Sequence, residues 1–317
     1  MISDEVYDMI EYFLAVGHQI LMMFLIVVVG YCIVKFKVVS EEGIKQLSVL
    51  LLKIVVPMIL ISSFQRDFEI NLFVKWLIMF VVSMFIYAVQ IALATVLYRD
   101  RSIRGFAESR LCLVLPNNGF LAFPLMMSLV GDLGIFYGST NVIILNILQW
   151  TYGLKLFKPD EKLDAKKIFL NPGTISVFIG LLLFVSPYKL PQPVFEAVDA
   201  IGSLNTPVAM IVLGGLIAQT DLKKEIKQPC FYKLSFVKLI ILPLIIAPVL
   251  KIMPFSNDIK LIGFICAVTP AATSISMISQ LYDGEYRYAT SAIVIMTILS
   301  AITIPIILAI GSGILGY

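Results

Sequence analysis

The apolar residues of this chain are grouped into long blocks separated by short polar stretches. A helix of about 20 apolar residues is long enough to cross the hydrocarbon core of a bilayer. Ten blocks approach that length, and each predicts a transmembrane helix. They lie at about 13–34, 44–64, 73–97, 108–131, 137–157, 173–187, 194–218, 231–253, 260–281 and 289–314. The pattern predicts an all-α polytopic membrane protein with ten transmembrane helices.

The composition agrees with that pattern. Of the 317 residues, 59% are hydrophobic and 14% are charged, whereas a soluble domain is about half apolar and about a quarter charged. The acidic N-terminus carries neither the basic region nor the cleavage site of a signal peptide. The loops are too short to hold a soluble domain.

The basic residues predict the orientation. Seventeen of the 24 Lys and Arg residues fall in loops on one side, and five fall in loops on the other. Because basic loops stay in the cytoplasm, we expect a cell-membrane protein with both termini outside the cytoplasm. The net charge of +3 reflects this bias, and we expect no nucleic-acid binding.

The fourth block contains residues that do not suit a lipid-facing helix. Pro116, Asn117, Asn118, Gly119 and Pro124 lie in its middle. Proline removes a backbone donor and clashes with the preceding turn, so we expect Pro116 and Pro124 to break the helix. Peptide groups freed inside a membrane must be satisfied by protein or by a watery cavity. The stretch is therefore a candidate binding site.

The two halves of the chain resemble each other. Pro57 matches Pro207 at an offset of 150, and Asp132 and Tyr137 match Asp283 and Tyr288 at an offset of 151. Because each half would hold five helices, the second half enters from the opposite side, which gives an inverted repeat. We predict repeats at 1–157 and 173–317, with a short cytoplasmic linker at 158–172.

The repeat predicts a second break, and the ninth block has one at 267–274. Thr269 suits a helix N-cap and Pro270 the first helical position. Asn117 or Asn118 could cap the other half-helix. Helix N-termini carry unpaired amides and about half a positive charge, so two of them meeting in the membrane would attract an anion.

These motifs resemble the auxin efflux carrier family, which includes bacterial permeases annotated for malate or malonate. The resemblance rests on Pro116 to Phe120, Phe123-Pro124-Leu125, Gly134 to Tyr137, Trp150 to Gly153, Pro207 to Gly214, Thr269 to Ala272, Tyr282-Asp283-Gly284 and Thr297 to Ser300. It implies crossed, broken helices 4 and 9. It also implies scaffold and transport domains, each drawn from both repeats, and an elevator motion. The long loop of plant members is absent, so nothing argues for auxin itself.

The candidate substrate-binding residues follow from the two breaks. They are Asn117, Asn118, Gly119, Thr269, Pro270, Thr273 and Ser274, with Lys53 as a further candidate. The asparagines could instead only satisfy backbone groups at a kink. Lys53 could be a counter-charge for an anion, or could extend its side chain to the membrane surface, which is our reading of Lys238.

The function expected is secondary transport of a small organic anion, a carboxylate. No Asp or Glu falls in mid-membrane, which favours electrogenic uniport or exchange over coupling through a buried carboxylate. Two alternatives stay open: a sodium-coupled symporter of the bile-acid-transporter type, and a sensor that does not transport. We expect no enzyme, no cofactor and no metal site, and four free cysteines. Helices of the scaffold could form a homodimer seam within the lipid bilayer.

Small residues in the seventh block, such as Gly202, Gly214 and Gly215, should allow helices to approach closely.

Overall fold

The computed structural model describes residues 4–164, 166, 169–220 and 227–316, with side chains from residue 17 onward. These residues form α-helices joined by short loops. The helices are α1 Asp4–Lys35, α2 Glu41–Leu50, α3 Val56–Ser63, α4 Ile70–Leu97, α5 Phe106–Val114, α6 Phe123–Val130, α7 Asp132–Leu148, α8 Leu154–Phe157, α9 Pro172–Val185, α10 Gln192–Ser203, α11 Asn205–Gln219, α12 Pro229–Phe236, α13 Leu242–Ile252, α14 Asn257–Val268, α15 Ser274–Leu281 and α16 Tyr286–Leu315. Three of the seventeen basic residues predicted on the cytoplasmic side lie outside the described residues, namely Lys167, Lys223 and Lys224. Part of the 158–172 linker does too.

Six helical stretches within the described residues are long and apolar enough to cross a membrane. They are Gly17–Lys35, Glu41–Ser63, Ile70–Leu97, Gln192–Gln219, Pro229–Ile252 and Tyr286–Leu315. Two further apolar helices, Asn118–Val130 and Pro172–Val185, are shorter than these six. The chain is thus an all-helical, polytopic membrane protein, while the count of ten spans and the inverted relation of the halves stay predictions.

Several helices pass through a five-residue π-helical turn shortly before a proline. The turns Leu51–Val55, Asn118–Ala122 and Val237–Ile241 precede Pro57, Pro124 and Pro243. A π turn shifts the carbonyl register by one residue, which relieves the clash between the proline ring and the preceding turn. Pro124 consequently does not interrupt its helix, contrary to our expectation: it lies in the first turn of α6, and helix continues on both sides of it.

The chain divides into two compact units. The first comprises Met1–Leu25, Phe85–Asn117 and Thr220–Tyr317, and the second comprises Ile26–Met84 and Asn118–Gln219. Each unit therefore draws on both halves of the sequence. The repeat boundaries at 157 and 172 concern the duplication of the sequence and not these compact units. They stay predictions.

In the second unit, glycines allow helices to touch backbone to backbone. A methyl group on Gly214 would collide with the Val27 carbonyl of α1, and one on Gly30 would collide with the Ile211 carbonyl of α11. A methyl group on Gly202 would lie 2.9 Å from the Ile59 Cα. The prediction of close helix approach at these small residues is confirmed.

The same unit has an aromatic cluster and a buried polar seam. The ring of Phe136 lies 4.8 Å from Phe64 and 5.2 Å from Phe184, between centroids. Nearby in sequence, the indole of Trp76 donates a hydrogen bond to Ser139 at 2.9 Å. These contacts join α4, α7, α9 and Phe64, the residue that follows α3.

In the first unit, a buried carboxylate ties helix α5 to α15 and to the loop after it. Glu108 is 2% exposed and accepts hydrogen bonds from the Ser279 hydroxyl at 2.6 Å and the Glu285 amide at 2.7 Å. One residue on, Ser109 shares a 2.9 Å hydrogen bond with the Tyr288 hydroxyl. These bonds hold the start of α5 against the end of α15. The opposite ends of these two helices lie at the breaks described below.

Candidate functional site

The first break lies between α5 and the π-helical turn Asn118–Ala122. Helix α5 ends at Val114, and Leu115 has extended backbone angles, φ −95° and ψ 107°. Pro116 and Asn117 continue this extended stretch before helix resumes at Asn118. Pro116 therefore stands where the sequence placed a break, because its nitrogen cannot donate to the Cys112 carbonyl.

The second break lies between α14 and α15. Helix α14 ends at Val268, and Thr269 is extended with φ −74° and ψ 146°. The next helix begins only at Ser274. Thr269 and Pro270 were expected to be the N-cap and first residue of the restarted helix, and this was wrong by four residues.

Thr269 instead completes the end of the preceding helix. It is fully buried, and its hydroxyl donates to the Cys266 carbonyl at 3.1 Å. In an unbroken helix that carbonyl would accept from residue 270, which is a proline and has no donor. The threonine hydroxyl replaces the missing amide, so its proton is not available to a ligand.

The two breaks cross and pair with each other. The Asn117 amide donates to the Pro270 carbonyl at 2.8 Å, and the Ala272 amide donates to the Leu115 carbonyl at 2.9 Å. Pro116 and Ala271 form an antiparallel bridge between these bonds. Two interrupted helices thus satisfy part of their freed backbone by a miniature sheet, which keeps the peptide groups paired away from water.

This pairing changes what the breaks offer to an anion. The amides of Asn117 and Ala272 are used by the crossing itself. A ligand would therefore meet side chains and the positive ends of the half-helices rather than these two amides. Thr273 and Ser274 are half-buried at the start of α15, whereas Asn117 is 3% exposed.

A buried lysine caps the helix before the first break. Lys238 lies in the π-helical turn Val237–Ile241, is fully buried, and donates from its Nζ to the Leu113 carbonyl at 3.1 Å. In a regular helix that carbonyl would accept from the Asn117 amide, which here donates to the Pro270 carbonyl instead. A cation at a helix C-terminus also interacts favourably with the helix dipole.

The amine of Lys238 has no carboxylate within ion-pairing distance among the described residues. Burial without such a partner disfavours the charged form of a lysine, because a buried charge loses its hydration. An anion close to the amine would stabilise the ammonium form.

Lys238, which we expected to reach the membrane surface, is instead fully buried, so that expectation was wrong. Lys53, for which a counter-charge and a surface-reaching side chain were both open, is exposed. Both lie in a π-helical turn with a proline four or five residues later. Because their local sequences are so similar, only the faces of the helices in the fold distinguish them.

Asn118 and Gly119 belong to the second unit. Asn118 is 5% exposed, and the Gly119 carbonyl accepts from the Asn205 side-chain amide at 3.3 Å. Asn205 is the first residue of α11 and is 1% exposed. Its Oδ1 has no hydrogen-bond partner among the described residues. Asn205 was not among the predicted site residues, although its position just before Pro207 of the repeat was a usable signal.

Glu108 was also missed, because it lies at the end of its block, where an acidic residue is usually solvated.

The described side chains contain no group of three or more His, Cys, Asp or Glu residues able to hold a metal ion.

The comparisons with known proteins agree with this architecture. The sequence model of a family described as membrane transport protein matches residues 15–308. The chain belongs to this auxin efflux carrier and membrane transport family. It is also similar to an uncharacterized transporter of Methanocaldococcus jannaschii, with 20% identity over 302 residues, which are 90% of this chain and 96% of the relative. Membership in the family makes this protein a membrane transporter.

Proposed function

We propose that this transporter is a secondary carrier of small organic anions, with carboxylates as the substrate class. The proposal rests on one observation above all: the crossed breaks lie beside a fully buried lysine that has no ion-paired carboxylate among the described residues. A positive potential at interrupted helices suits an anion and disfavours a cation.

Residues near the breaks would have different tasks. In the first unit, Asn117, Thr273 and Ser274 would contact the substrate, because amides and hydroxyls can donate to carboxylate oxygens. Asn118, in the second unit, is a substrate-binding candidate by its side-chain amide alone. Pro270 would hold the crossing through its carbonyl, which accepts from the Asn117 amide, and Thr269 would close the end of α14. Gly119, which has no side chain, would leave room for the substrate. Lys238 would contribute positive charge without touching the substrate.

Movement of the substrate would follow the elevator mode that the family resemblance implies. Uniport or exchange is the favoured mode, since the sequence has no acidic residue in mid-membrane. The buried carboxylate of Glu108 lies in the first turn of α5, where it accepts hydrogen bonds from Ser279 and Glu285. Outward movement of an anion would gain about 2.3 kcal/mol per charge per 100 mV of membrane potential.

Counterflow in proteoliposomes tests the proposal. Vesicles loaded with unlabelled malonate or malate should accumulate the labelled acid from outside, and an imposed potential should change the rate. Binding of these acids without counterflow would identify a sensor instead. Indole-3-acetate and an organic cation serve as comparison substrates, and preferential uptake of the cation would contradict the anion assignment.

Sodium-coupled symport is the second candidate function. It is favoured by the buried Asn205 Oδ1, an oxygen acceptor without a partner among the described residues, beside the Gly119 carbonyl. Oxygen atoms of this kind are ligands for hard cations. Uptake measured with sodium, with choline in its place and with a proton uncoupler separates the two: strict dependence on sodium would exclude uniport.

A further inference from the structure

A cavity in the first unit is lined by residues other than those of the crossed breaks. It has a volume of about 760 Å³, and its lining comes from the end of α4, the loop after it, α12 and the start of α16. Ligand sites typically measure about 300–1,000 Å³. The cavity is large enough for a small ligand or for the polar part of a larger one.

The charge of the lining is positive. Arg104, Lys233 and Arg287 line the cavity, and all three are exposed. Glu285 pairs with Arg104 at 3.4 Å, while Lys233 and Arg287 have no ion pair among the described residues. Polar side chains of Gln228 and Ser291 add hydrogen-bonding groups.

The rest of the lining is aromatic and aliphatic. Tyr98, Phe231 and Tyr288 form part of the wall, and the Phe231 and Tyr288 rings lie 5.0 Å apart. Leu97 and Ile103 line the rim and are 46% and 49% exposed. Tyrosines and basic residues beside exposed apolar side chains are typical of the boundary between headgroups and hydrocarbon.

We propose that this cavity binds the phosphate headgroup of an anionic phospholipid, with the acyl chains lying over the exposed apolar rim. The basic loops place it at the membrane side that the sequence predicts to be cytoplasmic, where anionic lipids attract basic clusters. A soluble phosphate ester would share the headgroup chemistry, but it would leave the apolar rim in water, so the lipid is the better match.

Lipid binding to the purified full-length protein tests this site. The probes are dioctanoyl phosphatidylglycerol, dioctanoyl phosphatidylcholine and sn-glycerol 3-phosphate, with occupancy followed by native mass spectrometry. We expect the anionic lipid to bind at least about tenfold more tightly than the zwitterionic one. The triple variant R104Q/K233Q/R287Q should lose at least about tenfold in that affinity, since each basic residue contributes separately.

The matched control is K45Q/R99Q/R101Q, which removes three exposed charges that do not line the cavity. Retained binding in the control, together with loss in the cavity variant at an unchanged unfolding midpoint, supports the site. Equal losses in both variants, or equal binding of the two lipids, would overturn it. Equally tight binding of glycerol phosphate would replace the lipid by a free anion.

Discussion

Replacing Lys238 by methionine removes the buried amine while keeping a long side chain of similar shape. The Leu113 carbonyl loses the donor at 3.1 Å, and a buried acceptor left unsatisfied costs about 1–3 kcal/mol. Burying methionine instead of an amine without a carboxylate partner opposes that loss, so the net change in the free energy of unfolding should be small. The loss in binding free energy of an anionic ligand should exceed this net change in stability. A carboxylate about 10 Å away, at an effective dielectric constant of about 20, would lose about 1.7 kcal/mol, or about 15-fold in affinity.

Binding and transport of malonate by Lys238→Met measure this effect. Isothermal titration on purified protein should show affinity lower by at least about tenfold, and proteoliposome uptake should fall with it. Lys238→Arg keeps the charge and should retain part of the affinity. The control is Lys53→Met, which removes an exposed lysine from an equivalent π-helical turn and should change little. Unchanged malonate affinity in a folded Lys238→Met protein would refute the electrostatic argument.

Three further predictions concern other parts of the molecule. Asn117→Ala and Asn118→Ala should each abolish malonate counterflow with unfolding midpoints near that of the parent, and normal transport by both would remove them from the site. Gly214→Ala should lower the unfolding midpoint strongly, since its new methyl meets a backbone carbonyl that cannot move aside, while Gly17→Ala, with open space around it, should not. Glu108→Leu should destabilise by about 1–3 kcal/mol, because the buried Ser279 hydroxyl and the part-buried Glu285 amide both lose their acceptor. A denaturant or thermal series measures this, and a stability equal to the parent's would contradict the anchoring role.

The positions of the breaks were readable from sequence, but their details were not. Pro116 and Pro270 each remove one helical donor, which is a local and unavoidable effect. The length of each interruption depends on what its freed groups can pair with. Because the two stretches pair with each other, extended backbone continues through Asn117 and the second helix restarts at Ser274 rather than Pro270.

The sequence by itself determined the membrane location, the helical class and the two proline-containing interruptions, since hydrophobic length and missing backbone donors act locally. Only the tertiary structure decided that Lys238 is buried and Lys53 exposed, and that Pro124 stays within a helix. The face that a helix buries is set by the helices packed against it. Lys238, for example, contacts Leu113, which is 125 residues away in the chain. Local patterns carry no information about such contacts.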